Sequence, residues 1–164
     1  MITTENILAS AKKSILSQSE SISNLVNYVD DNFVKSVETI FNSKGRLVVT
    51  GIGKSAIIAQ KIVATLNSTG TPSLFLHASE AIHGDLGMVQ PDDVVICISK
   101  SGNSPEIKVL VPLLKRFNNK LIAITGNVTS FLGKEADYTL NTYVEKEACP
   151  NNLAPTNSTT AQLV

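Results

Sequence analysis

Residues 93–106 read Asp93-Val-Val-Ile-Cys-Ile-Ser99-Lys-Ser-Gly-Asn-Ser-Pro-Glu106, and the fold turns on how this stretch is read. Its first half is apolar without alternation, as a strand buried on both faces must be. It stops abruptly in small hydroxyl residues around one glycine. Pro105 and Glu106 then open an apolar, helix-like segment running to about Arg116. A buried strand that feeds a Ser/Gly loop and then a helix start presents unpaired backbone N–H groups and the positive end of a helix dipole. Such an arrangement holds a phosphate. Ser99, Ser101 and Ser104 add hydroxyl donors, and Gly102 lets the backbone approach a ligand closely. Lys100 is the loop's only cation, so hydrogen bonding outweighs bulk charge. The plainer reading makes the serines turn and cap residues and Glu106 a partner of the helix dipole. The sharper one makes Glu106 a base aimed at a crevice.

Upstream, Leu47–Thr50 is a short β-branched run ending at Gly51-Ile-Gly-Lys-Ser55, with a helical segment from Ala56 to Ser68. Ser73–Leu76 reads as a second strand, and His77–Gly84 as a loop with a short helix. Residues 93–98 form a third strand, Leu121–Thr125 a fourth and Tyr138–Asn141 a weaker fifth. Short helical pieces lie near Ser130–Glu135 and from Ser158 to Val164. Alternating strands and helices predict a parallel sheet covered on both faces, a three-layer α/β/α sandwich. Strand order 2-1-3-4-5 puts the chain reversal between strands 1 and 3, where ligands bind outside the strands' carboxyl ends. Gly51–Ser55 and Ser99–Glu106 are therefore expected to face one crevice.

Residues 1–44 read as an N-terminal helical arm, and residues 45–164 as the ligand-binding domain. Within the arm Ile7, Leu8, Ala11 and Ile15, then Ile22, Leu25, Val26 and Val29, recur at helical steps, and Asp30 or Asp31 caps a second helix. This arm either covers the sheet or makes a dimerisation surface. Hydrophobic residues make up 43% of the chain and charged ones 17%, with 14 acids and 14 bases. That balance fits a globular domain and lacks the basic field that recruits nucleic acid or anionic lipid. The N-terminal residues Met1–Asn6 lack a signal-peptide pattern, and no apolar run is long enough to span a bilayer. Cys97 and Cys149 make no zinc spacing, and Cys97 reads as a buried thiol. A cytoplasmic protein is expected.

Several motifs fail on inspection. A Walker A loop ending at Gly53-Lys-Ser55 needs its first glycine at Val48, and a dinucleotide fingerprint meets Ala56 in its last position with no acidic residue ending strand 2. His77 and His83 are six apart, not the four that a helical metal pair uses, so no metal is expected. His77, ending a strand, reads as structural, while His83 sits in a loop suited to a site. On composition Glu147 is a solvated charge. Thr156, Ser158, Thr159 and Thr160 are either a second anion cradle or caps.

Gly51–Ser55, Ser73–His77, Glu80-Ala-Ile-His-Gly-Asp-Leu-Gly-Met-Val89, Ile98–Glu106, Ile122–Gly126 and Lys146-Glu-Ala-Cys-Pro150 through Thr160 together resemble the sugar isomerase (SIS) domain of D-arabinose 5-phosphate isomerases. The likeness runs from about Gly45 to Val164. It implies interconversion of ribulose 5-phosphate and arabinose 5-phosphate, no cofactor, a homo-oligomer (tetramer or dimer) and a place in synthesis of the acid sugar Kdo. It assigns the phosphate to Ser55, Ser99, Ser101, Gly102 and Ser104. Lys54, His83, Glu106 and Glu147 fall on the polar active-site positions, with Glu106 the expected base and Glu147 its competitor. A non-catalytic phosphosugar sensor and an isomerase of another sugar phosphate are the alternatives. The resemblance also implies a further catalytic histidine beyond Val164, so the domain reads as C-terminally truncated and without the cystathionine-β-synthase-type modules that often follow. Lys100 and Asn103-Ser-Pro105 depart from the family's usual neutral or acidic loop residues.

Overall fold

The computed structural model describes residues 3–151 and 153–163. Helix α1 (Thr4–Asn24) runs through a 3-10 turn at Leu25–Tyr28 to α2 (Asp31–Phe41). Thr3 caps α1 and Asp30 caps α2, each side chain accepting from the N–H two or three residues on. Five strands and four further helices follow: β1 (Leu47–Gly51), α3 (Lys54–Ser68), β2 (Ser73–His77), α4 (Ala78–Ile82), β3 (Val94–Ile98), α5 (Pro105–Arg116), β4 (Lys120–Thr125), α6 (Phe131–Glu135) and β5 (Tyr138–Asn141). A short α7 (Asn157–Ala161) comes last, and the expected extension to Val164 lies outside the described residues.

The sheet is parallel with order β2-β1-β3-β4-β5, as the strand pattern predicts. Residues of alternate register enter two cores. Val48, Val95, Cys97, Leu121 and Ala123 pack under Ile107, Leu110, Val111 and Leu114 of α5, Ala81 of α4 and Leu132 of α6. On the opposite face, Leu47, Val49, Val94, Ile96, Ile98, Ile122 and Ile124 meet Ile58, Ala59 and Val63 of α3 and Ile40 of α2. Burial on both faces is what the unbroken apolar strands require. It also raises the pKa of the Cys97 thiol to about 12, leaving it an inert core group.

The third strand begins at Val94 and not at Asp93. Residues 90–93 close a turn, with Asp93 N–H donating to the Gln90 carbonyl. The buried Asp93 carboxylate accepts from Arg46 N–H at 2.8 Å, Arg46 Nη2 at 2.8 Å and Gln90 N–H at 2.9 Å. Burial opposes its ionisation, but these donors outweigh burial and lower its pKa. The clamp ties the start of β1 to the start of β3, at the end of the sheet opposite the crevice.

Helix α2 joins the core, whereas α1 buries no residue. It leans on α7: Asn157 Nδ2 donates to Ser17 Oγ at 3.0 Å, and Thr160 Oγ1 to Gln18 Oε1 at 2.9 Å. Ile7, Leu8, Ile15, Leu16 and Ile22 of α1 stay exposed. Among the described residues, no helix is long and apolar enough to cross a membrane.

Candidate active site

Gly51 pairs in register with Ile98. The loops leaving β1 and β3 therefore depart from adjacent strands at the same level, and both lead into helix N-termini. In the first loop Gly53 takes φ 57°, a conformation that only glycine adopts cheaply, and turns the chain so that Lys54 opens α3. Lys54 is exposed and Ser55 half-buried. The Ser55 hydroxyl donates to Gln162 Oε1 at 3.3 Å, which brings the end of α7 to this loop.

The second loop is braced from several sides. Ser99 N–H donates to the Ile124 carbonyl, and Gly126 N–H to the Lys100 carbonyl, so β4 holds the loop's base. Gly102 N–H donates to Ser99 Oγ at 3.1 Å, and Leu132 N–H to the Gly102 carbonyl at 3.0 Å. Asn103 N–H reaches Ser101 Oγ at 3.3 Å, while Asn103 Oδ1 accepts from Phe131 N–H at 3.0 Å. Ser104 is the N-cap residue of α5 but makes no side-chain cap bond, and its buried Oγ has no partner among the described residues. Pro105 occupies the first turn and Glu106 follows it, half-buried. Ser99, Ser101, Gly102, Ser104 and Glu106 thus come together as the sequence predicts.

The histidines separate. His77 Nδ1 accepts from Ser79 N–H at 3.3 Å and its ring stands edge-on to Phe75, a structural role at the start of α4. His83 caps the other end of α4 and is exposed. It lies on the carboxyl-end side of the sheet, because α4 starts directly after β2 and Gly51 pairs with His77.

Glu147 overturns the reading of a solvated charge: it is 8% exposed. Its Oε1 accepts from Lys100 Nζ at 2.6 Å. Its Oε2 accepts from Thr156 N–H at 2.8 Å, Thr156 Oγ1 at 3.1 Å and Ser158 N–H at 3.1 Å. The 156–160 hydroxyl run is therefore no second anion cradle, since the chain's own carboxylate takes the N–H groups at its start. Burial works against the charge on Glu147, yet the donors from Lys100, Ser158 and Thr156 outweigh it and lower the pKa to about 2.

This sets a pH dependence. A carboxylate whose pKa falls from 4.5 to about 2 on folding adds stability that is present in full above 4.5 and lost as pH falls towards 2. The contribution is up to ~3 kcal/mol. Glu147→Gln is expected to lose most of it at neutral pH, and the gap to wild type in urea unfolding should narrow steadily on acidification. A gap that stays constant with pH would show that Glu147 is not the group responsible.

Lys100, Thr156 and Gln162 join the site; the sequence marks Lys100 as the loop's cation, leaves Thr156 between an anion cradle and a cap, and gives Gln162 no role. Their only signals were the loop's lone cation and a hydroxyl-rich approach to a helix. Among the described residues no three His, Cys, Asp or Glu side chains gather into a metal-binding group. A polar cavity of about 470 Å³ between α1 and the segment after β5, lined in part by Ser17, Tyr28, Tyr143 and Asn157, includes none of the crevice residues.

Comparison with known proteins gives a consistent picture. The SIS domain family model matches residues 39–164. The chain is 52% identical over 155 residues to arabinose 5-phosphate isomerase KdsD of Escherichia coli K12, covering 94% of this chain and 47% of that protein. It is 48% identical over 159 residues to the Pseudomonas aeruginosa KdsD, covering 97% and 49%. The chain thus spans about half the length of the curated relatives it matches. The structure of E. coli CFT073 c3406 in complex with arabinose 5-phosphate superposes with a TM-score of 0.94 at 38% identity, covering 99% of this chain and 86% of that one.

Proposed function

The chain belongs to the SIS domain family, and from that premise we propose that it is an aldose–ketose isomerase interconverting D-arabinose 5-phosphate and D-ribulose 5-phosphate. The observation that carries this reading is the paired crevice: two loops launched in register, one rich in serine, with a carboxylate in the first turn of the helix beyond. The names of its relatives, and the arabinose 5-phosphate bound to a structural relative, point to the substrate.

Ser55, Ser99, Ser101 and Ser104 hold the phosphate through their hydroxyls, which orients the sugar before any bond changes; Gly102, whose N–H is taken by Ser99 Oγ and whose carbonyl is taken by Leu132 N–H, shapes the loop instead of donating to the phosphate. Glu106 removes the proton from the carbon beside the carbonyl, giving a cis-enediolate, and returns it to the neighbouring carbon. Lys54 stabilises the enediolate oxygen as its charge develops. His83 opens the sugar ring or moves a hydroxyl proton. Glu147, with both oxygens already engaged by donors, suits the base role less than Glu106 does. No metal or cofactor enters this scheme.

The test is turnover of ribulose 5-phosphate in D₂O. Arabinose 5-phosphate should form with solvent deuterium at the exchanged carbon. Sugar-phosphate binding without exchange would instead favour a sensor, and exchange only with a hexulose phosphate another isomerase. We further propose a cytoplasmic homo-oligomer joined through the exposed apolar face of α1. Sedimentation velocity should find a dimer or tetramer, and a monomer at high micromolar concentration would remove that part.

A further inference from the structure

Lys100 has both its backbone and its side chain tied to other parts of the fold. Its carbonyl accepts from Gly126 N–H at 3.1 Å and from Thr125 Oγ1 at 3.3 Å, fixing the main chain to the end of β4. Its ammonium reaches Glu147, which lies 47 positions further along the chain. The pair is asymmetric: the Lys100 side chain is 53% exposed and that of Glu147 4%.

Glu147 in turn anchors a closed loop. Its Oε2 takes the Thr156 and Ser158 N–H groups, Thr156 Oγ1 accepts from Ala148 N–H at 2.8 Å, and Asn157 Nδ2 donates to the Lys146 carbonyl at 2.9 Å. The segment from Lys146 to Ser158 is thereby cinched at its neck, and Lys100 joins that neck to the serine loop. A buried carboxylate with donors on both oxygens is fixed in place, so the ammonium it holds is fixed too.

We infer that Lys100 and Glu147 form a latch that keeps the serine loop in its phosphate-ready shape, both acting as positioning residues and neither as the proton-abstracting base. The kinetic part rests on the isomerase reading above. The binding part does not. The latch cuts the entropy lost when the loop orders around an anion, so opening it weakens phosphate binding before it touches chemistry.

The experiment compares wild type with Lys100→Met, Lys100→Arg, Glu147→Gln and the Met/Gln double variant, all in the full chain. Inorganic phosphate affinity is measured by calorimetry, exchange of amides 99–104 by NMR, and kcat and KM with ribulose 5-phosphate. Lys100→Met is expected to weaken phosphate binding and raise KM about five- to tenfold, the worth of one half-exposed charge-assisted hydrogen bond. Its kcat stays within about threefold, and amides 99–104 exchange faster. Lys100→Arg keeps the ion pair and restores affinity. The double variant is no worse than the more impaired single one, as expected of residues acting as a unit. Wild-type phosphate affinity and amide exchange in Lys100→Met would overturn the latch. So would Glu147→Gln losing about 100-fold or more in kcat with phosphate binding intact, because that is the signature of a base. If no variant, nor wild type, turns over a pentose phosphate while Lys100→Met still loses phosphate affinity, the isomerase reading fails and the latch stands.

Discussion

Glu106→Gln lowers isomerase turnover by about 10²–10⁴-fold while phosphate affinity stays within about threefold, if Glu106 is the base. That range corresponds to ~3–5 kcal/mol of transition-state stabilisation. The substitution is nearly isosteric, so α5 keeps its first turn and the serine loop its bracing, but an amide does not accept a carbon-bound proton. The environment of Glu106 differs from that of Glu147 in the respect that matters. Glu106 is half-buried and, among the described residues, forms no ion pair, whereas Glu147 is committed to Lys100, Thr156 and Ser158. A carboxylate already satisfied by several donors has little reason to take a proton. The competing account makes Glu106 only a dipole partner, worth ~0.3–1 kcal/mol of stability. On that account Glu106→Gln loses less than tenfold in kcat and lowers the melting temperature slightly. Deuterium exchange into ribulose 5-phosphate separates the two, because it reads proton abstraction alone.

Gly102→Ala is expected to destabilise the protein by ~3 kcal/mol and to abolish measurable phosphate binding. Gly102 has φ 63°, where a Cβ meets the backbone, a cost of ~1–2 kcal/mol. A methyl group there would also overlap Ser130 Oγ, stand 2.6 Å from Ser130 Cβ and 3.2 Å from Thr125 Oγ1. Ser130 is buried and caps α6 by accepting from Gly133 N–H at 3.2 Å, so it has no cheap way to move aside. The loss should lower the melting temperature by roughly 6–12 °C for a chain of this size. The double variant Gly102→Ala with Ser130→Gly removes the overlap but not the left-handed strain, and should recover the packing part only. If Gly102→Ala melts and binds phosphate like wild type, the loop is not as tightly packed as its contacts indicate.

These two residues also mark how far the sequence could be read. The need for glycine at position 102 is legible, because a glycine among serines, between an apolar strand and a Pro-Glu helix start, has few conformational explanations, but the group that approaches its backbone is Ser130, which the sequence does not indicate. The strand order was legible for a related reason. Apolar runs without alternation demand cover on both faces, right-handed crossovers leave few topologies, and the chain reversal then falls between β1 and β3. Asp93, which the apolar run places in the third strand, falls one residue outside it, because its carboxylate is held by Arg46, in another strand's approach. His77 met its expected structural role because its partner, Ser79, is two residues away.

Local patterns of polarity, turn chemistry and short motifs were enough for the layers, the strand order, the two loops of the crevice and the family. The state of Glu147 and the partners of Lys100 and Ser55 emerged only with the folded chain. Their contacts span 47 and 107 positions, and no local signal encodes a donor that far off. The same glutamate is a solvated charge in isolation and a buried anion with a pKa of about 2 once Lys100, Thr156 and Ser158 surround it. Burial and hydrogen bonding set a carboxylate's chemistry, and both are properties of the folded neighbourhood rather than of the residue.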